Sequence, residues 1–138
     1  MKLPSGRSRD RAFTLIEMMA VLAIIMVVAG LTVAIARYVG TKAAVGKAQA
    51  EIALMENALE RYKIDNGSYP ASGYANVQSA LPPKYLKSVP ATDPFGVAYQ
   101  YLAPGSNNVA TFDLWSYGPD RASSNAATQA DDITNWKR

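Results

Sequence analysis

From Phe13 to Ala36 the chain runs 24 residues with one ionisable side chain, Glu17. As a helix this run spans ~36 Å at 1.5 Å per residue, enough to cross a hydrocarbon core of about 30 Å. Cleavable secretory signals have apolar cores of roughly 7–15 residues. The triplet Ala34-Ile35-Ala36 does fit a small-x-small signal-peptidase site, but the length of the run and the carboxylate inside it favour a retained span. Lys2, Arg7, Arg9 and Arg11 precede it against Asp10 alone, which places the N-terminal end in the cytoplasm and the C-terminal domain outside.

The net charge of +3 is carried by that leader, since the ten basic and ten acidic residues from Phe13 onward cancel. A nucleic-acid footprint needs Lys and Arg gathered on a folded surface, so no nucleic-acid partner is expected. Cys and His are both absent. Their absence removes disulfides, thiolate nucleophiles, most zinc sites and most general-base chemistry. An enzyme is not expected. A membrane-anchored enzyme or binding module would have only carboxylates, Lys63, Lys84, Lys87 and hydroxyls to work with, on a head of about 70 residues, small for a reactive pocket.

After Arg37 the pattern becomes amphipathic. Val45, Ala48, Ile52, Met55, Leu59 and Tyr62 recur at alternating spacings of three and four, one stripe of a helix that should end at Asn66-Gly67. Glu60 and Lys63 stand at a helpful i,i+3 spacing. Gly30, Gly40 and Gly46 each weaken this long helix by about 1 kcal/mol relative to Ala. Beyond Gly67 turn formers dominate, with a short helical turn or loop expected at 80–81 and 84–89. Strand candidates lie at Ala98–Leu102 and Ala110–Ser116, joined by a loop at Pro104–Asn108. Tyr99 and Tyr101 alternate on one strand face, where packing is the ordinary use. Residues 118–134 read as polar and irregular, closed by Ile133 and Trp136. The expected fold class is α+β: a long N-terminal helix, transmembrane in its first half and amphipathic in its second, packed against a small antiparallel sheet.

Glu17 is costly at ~2.5–3.5 kcal/mol near a bilayer centre, so an unpaired carboxylate there is a functional candidate. It could also be an interfacial Glu that reaches the headgroups. Its context decides. Ala12-Phe13-Thr14-Leu15-Ile16-Glu17 at the end of a basic leader resembles the processing site of type IV pilins and pseudopilins. Further matches are Leu59 to Pro70 (LERYKIDNGSYP), Asp93-Pro94-Phe95-Gly96, Phe112 to Asp120 (FDLWSYGPD) and Asp131 to Trp136 (DDITNW). Their joint order resembles the major pseudopilin of type II secretion.

That resemblance implies a cleaved leader at 1–12, a polymerisation helix at 13–36, and a periplasmic head at 37–138 whose helical part is 37–66. Prepilin peptidase would cut between Ala12 and Phe13 and N-methylate Phe13, although the residue before the cut is usually Gly. Position 34 is Ala where many relatives place a helix-kinking Pro. Glu17 would pair with the new amine, in its own chain or a neighbour's, and set subunit register. Ca²⁺ would be held by Asp120, Asp131 and Asp132 with backbone carbonyls near Tyr117 and Ser123; the alternative is a solvated acidic loop whose Asp side chains cap local turns. The implied partners are further copies of the chain in a helical homopolymer, other pseudopilins, the prepilin peptidase and the inner-membrane assembly platform. The implied location is the bacterial inner membrane, single-pass, and then a periplasmic fibre. A surface type IV pilin for adhesion, motility or DNA uptake is the alternative. The missing Cys and the Asp-rich end argue for the pseudopilin.

Overall fold

The computed structural model describes residues 13–123 and 128–137, apart from the side chains at 33, 34 and 128. The leader, with Ala12, lies outside the described residues, as do positions 124–127 of the C-terminal loop. The chain divides into two units, residues 1–38 and 39–138.

The first unit contains the start of helix α1, Leu15–Asn66. Thr14 caps it: its carbonyl accepts from the Glu17 and Met18 amides at 3.1 and 3.2 Å, and its Oγ1 accepts from the Glu17 amide at 3.3 Å. Thr14 and Glu17 thus take the N-cap and N3 places of a capping box, a signature present in the sequence and not read from it. Beyond the cap, Phe13, Leu15, Ile16, Leu22, Ile24 and their apolar neighbours are exposed. The apolar window of α1 is long enough to cross a membrane, and the protein itself buries none of it. Thr32 returns its hydroxyl hydrogen to the carbonyls of Ala29 and Val28 at 2.8 and 3.2 Å, so this polar group needs no partner from outside the helix.

In the second unit the expected stripe forms the core. Ala48, Ile52, Met55 and Leu59 are buried, together with Ala58, while Val45 and Tyr62 flank them half-buried. The helix stops where expected: Gly67 adopts φ +80° and its amide donates to the Lys63 carbonyl at 2.7 Å.

The next element is helix α2, Tyr74–Ala80. It lies ahead of the turn expected at 80–81, and its buried Tyr74 and Val77, followed by buried Leu81, show the helical spacing that identifies it. The sheet has three strands where a two-stranded hairpin was expected: β1 Gln100–Leu102, β2 Asp113–Ser116 and β3 Ile133–Thr134, antiparallel in that order. Tyr101 pairs with Leu114, and Ser116 with Ile133. Asn135 lengthens the short third strand. Its amide nitrogen donates to the Leu114 carbonyl at 3.1 Å, its Oδ1 accepts from the Leu114 amide at 3.0 Å, and its Nδ2 donates to the Phe112 carbonyl at 3.0 Å.

Both expected strands begin later than the composition suggested, and a buried aspartate holds the backbone of the loop ahead of each. Asp93 Oδ1 accepts from the Phe95 and Val97 amides at 2.9 Å each, and its Oδ2 accepts from Ser116 Oγ at 2.6 Å. Asp113 accepts from the amides of Ser106, Asn107 and Asn108 at 2.7 to 2.8 Å. The loop folds in around that carboxylate and holds residues 109–112 out of the ladder. Tyr99 and Tyr101 are both buried, as packing requires.

Candidate functional site: the helix start and the C-terminal loop

At the N-terminal site, Glu17 lies in the first turn of α1 and is exposed. Four residues separate it from Phe13, one turn of helix. A carboxylate here sits at the positive end of the helix dipole, where its charge is attracted by the free amides of the first turn. Thr14, the residue that fixes this turn, escaped the sequence reading.

The second site grows from the end of β2. Gly118 adopts φ +71°, and a Cβ there would overlap the carbonyl oxygen of Asp131, so only glycine lets the two arms of the loop approach. Its amide donates to Ser116 Oγ at 3.0 Å. The Asp120 amide then donates to Asp131 Oδ2 at 3.3 Å, and Asp120 Oδ1 accepts from the Ala122 amide at 2.9 Å. Ser123 Oγ donates to Asp132 Oδ2 at 2.6 Å.

The three aspartates singled out in the sequence are therefore on facing arms of one loop. Asp132 Oδ1 is buried with no hydrogen-bond partner among the described residues. Burial pushes the Asp132 carboxyl above its ordinary value. The hydroxyl of Ser123 and the ammonium of Lys137 pull it back, and the charges of Asp131 and Asp120 push it further up.

Asp132 Oδ1 is thus a buried acceptor that the described residues leave unsatisfied. Among the described residues no three acidic side chains stand close enough together to share a metal ion. Tyr117 and Ser123 border the same groove as Asp132, about 340 Å³ in volume, and the Ser123 hydroxyl is spent on Asp132 Oδ2.

Two features of this region were missed in the sequence. Trp115 and Trp136 meet edge to face, with ring centroids 5.7 Å apart, on the wall of that groove. Lys137 borders it too, with its Nζ donating to the Gln129 carbonyl at 2.8 Å. A lone lysine near a chain end carries no spacing signal, so only the fold reveals its place.

Residues 37–136 match the family described as type II secretion system (T2SS), protein G. The chain belongs to that family. Residues 7–33 also match the prokaryotic N-terminal methylation motif. The protein G family member of Escherichia coli K12, a type II secretion system core protein G, is 40% identical over 140 residues, covering 93% of this chain and 92% of its own. Those of Pseudomonas aeruginosa and Vibrio cholerae are each 35% identical, covering 94% and 93% of this chain and 97% and 92% of their own. The crystal structure of the major pseudopilin from the type 2 secretion system of enterohaemorrhagic Escherichia coli matches with TM-score 0.54 and 30% identity, over 70% of this chain and 90% of that one. The protein G chain is thus a major pseudopilin rather than a surface pilin, and its family is a structural component of a secretion machine that works with other pseudopilins and secretion components.

Proposed function

We propose that this protein G chain is cut between Ala12 and Phe13, methylated at Phe13, and assembled from the inner membrane into a periplasmic homopolymer that serves protein export. The observation that carries the reading is the capped first turn: Thr14 fixes the backbone of Glu17 one turn from Phe13, at the head of an apolar helix that the protein leaves uncovered. Cutting before Phe13 creates an amine within reach of that carboxylate. In lipid the two charges gain by pairing, within one chain or between neighbours. In a fibre, the same helix exchanges lipid for helical neighbours at little hydrophobic cost. Prepilin peptidase and the inner-membrane assembly platform are the partners this cycle requires.

In the head, Ca²⁺ would be held by Asp120, Asp131 and Asp132 with carbonyl oxygens near Tyr117 and Ser123. The cation would neutralise their mutual repulsion and tie together the two arms of a loop that has no disulfide to close it. The unpartnered Oδ1 of Asp132 supports this reading.

The intact mass of the protein extracted from native membranes tests the processing. Loss of residues 1–12 with addition of one methyl group is expected. A chain still beginning at Met1, or one beginning at Arg37, overturns it.

A further inference from the structure

We infer that Asn66-Gly67 is a site of spontaneous modification, closure of the Asn66 side chain onto the Gly67 amide, and that the last turn of α1 holds it shut. The change lies in the head and requires neither the processing nor the cation proposed above.

Two neighbouring residues supply the chemistry. The Gly67 amide nitrogen attacks Cγ of Asn66. That N–C bond forms, the Cγ–Nδ2 bond breaks, and the side-chain nitrogen leaves as ammonia with the proton that Gly67 gives up. Water then opens the ring at either carbonyl. One product is aspartate at position 66; the other is isoaspartate, which runs the backbone through the side chain. Glycine opposes this attack least, because it has no Cβ to crowd the nitrogen and few limits on its backbone. Both residues are exposed, and a Cβ at position 67 would meet nothing within 4 Å, so packing does not shield the pair.

Hydrogen bonds shield it instead. The attacking nitrogen donates to the Lys63 carbonyl at 2.7 Å. The leaving nitrogen, Asn66 Nδ2, donates to the Tyr62 carbonyl at 2.8 Å and to the Tyr85 hydroxyl at 3.1 Å. Asn66 is the last residue of α1, and attack requires its ψ to leave the helical range, which pulls the Gly67 amide off Lys63. Tyr85 is fixed in turn. Its hydroxyl donates to Asp65 Oδ2 at 3.1 Å and accepts from Lys84 Nζ at 3.0 Å, and its ring meets Tyr62 edge to face with centroids 5.4 Å apart.

Once made, the product cannot restore this arrangement. A carboxylate at position 66 has no hydrogen for the Tyr62 carbonyl, stands next to Asp65, and adds negative charge at the negative end of the helix. Isoaspartate also lengthens the backbone ahead of Tyr69, whose hydroxyl donates to Glu60 Oε1 at 2.7 Å. The modified fraction is therefore an irreversible record of how long the last turn has been open.

The experiment incubates the full chain in detergent micelles in mildly alkaline buffer, well below its melting temperature. Peptide mass spectrometry reads amide loss at Asn66, chromatography separates the two acid products, and Asn76, followed by the bulkier Val77, is the internal comparison. In guanidinium chloride, wild type should convert at Asn66 well ahead of Asn76. Folded wild type should convert about tenfold more slowly, or slower still. Tyr85→Phe should raise the folded rate roughly two- to tenfold and leave the unfolded rate unchanged. Tyr99→Phe removes a hydrogen bond to Glu51, away from Asn66, and should leave the folded rate alone. Equal rates in folded and unfolded wild type overturn the gate, and an unreactive Asn66 in the unfolded chain overturns the site. Equal acceleration by both variants assigns opening to global unfolding and overturns the role of the last turn. No acceleration by Tyr85→Phe overturns the part given to Tyr85.

Discussion

Tyr99 donates its phenolic hydrogen to Glu51 Oε2 across 2.6 Å, fastening the residue before β1 to the amphipathic half of α1. The ring is fully buried among the core side chains, and the carboxylate lies at the edge of that core, where Lys47 stands 3.7 Å from its other oxygen. Burial first, and then the Glu51 charge, push the Tyr99 phenol far above its ordinary range, so it stays a donor at every pH the protein meets. The sheet is tied to the helix by this bond as well as by apolar contact.

Tyr99→Phe keeps the ring and removes only this bond. Because the acceptor is charged, the loss is expected to be about 1.5–3 kcal/mol, toward the lower end since Glu51 keeps some access to water. Thermal unfolding of the full chain in detergent, followed by near-ultraviolet circular dichroism, should show a melting point several degrees lower. Glu51→Ala should cost a similar amount and the double variant little more, since both remove the same bond. Fully additive losses would show that the two residues act separately.

Asp113 sets the acid limit of the head. Burial alone would raise its carboxyl, but the hydrogen bonds from Asn107, Asn108 and Ser106 outweigh that and hold it below the ordinary 3.8. A group depressed in the folded state stabilises the fold above its unfolded pKa and loses that contribution as the pH falls through the folded value. Stability from this residue is therefore full above about pH 5 and fades below about pH 4. Asp113→Asn should lower stability near neutral pH by about 2 kcal/mol and flatten the acid limb of a plot of melting temperature against pH. An acid limb as steep as wild type would assign the effect to other carboxylates.

How much of this could be read in advance depended on whether a residue's role repeats along the chain. Ala48, Ile52, Met55 and Leu59 write their burial into the spacing of α1, and Gly67 ends the helix by its own backbone freedom. β3 is two residues long and exists because β2 offers it an edge, with Asn135 standing in for further ladder bonds. No periodicity survives in two residues. Asp113 looked like part of a strand, yet its carboxylate draws residues 106–108 into a loop around it, a tertiary event with no local signature. At the sites, Glu17 stood out because charge is rare in lipid, and the aspartates of the loop because charge is dense there. Lys137 ties back to the Gln129 carbonyl only because the fold brings the two together, so nothing in the sequence hinted at it.

Glu17→Leu and Glu17→Ala should leave the chain in the membrane, since removing a charge from an apolar span makes insertion easier. Fibre assembly should be lost. Glu17→Gln separates charge from hydrogen bonding: it keeps an acceptor for the amine and gives up the ion pair, so assembly at reduced yield is expected. Sheared-fibre yield against membrane-retained protein measures both. Thr14→Ala removes the cap and costs the helix start about 1 kcal/mol, so it should slow assembly without abolishing it. Normal fibres from Glu17→Leu would remove the carboxylate from the assembly step.

Chelation tests the loop from the other side. If calcium binds the folded head and not the unfolded chain, its stabilisation grows as the logarithm of free calcium over the dissociation constant, about 2.7 kcal/mol at a hundredfold excess. Excess chelator should therefore lower the melting temperature of the full chain in detergent, and calcium in excess of the chelator should restore it. Asp132→Asn should melt at one temperature in both conditions, because it removes the carboxylate whose Oδ1 is buried and unpartnered. It should also melt slightly above chelated wild type, since the repulsion from Asp131 and Asp120 that pushes this carboxyl up is gone. That last comparison is the sharper one: a loop built only to cap its own turns would lose the Ser123 bond to Asp132 and gain nothing in return, so Asp132→Asn would melt below chelated wild type.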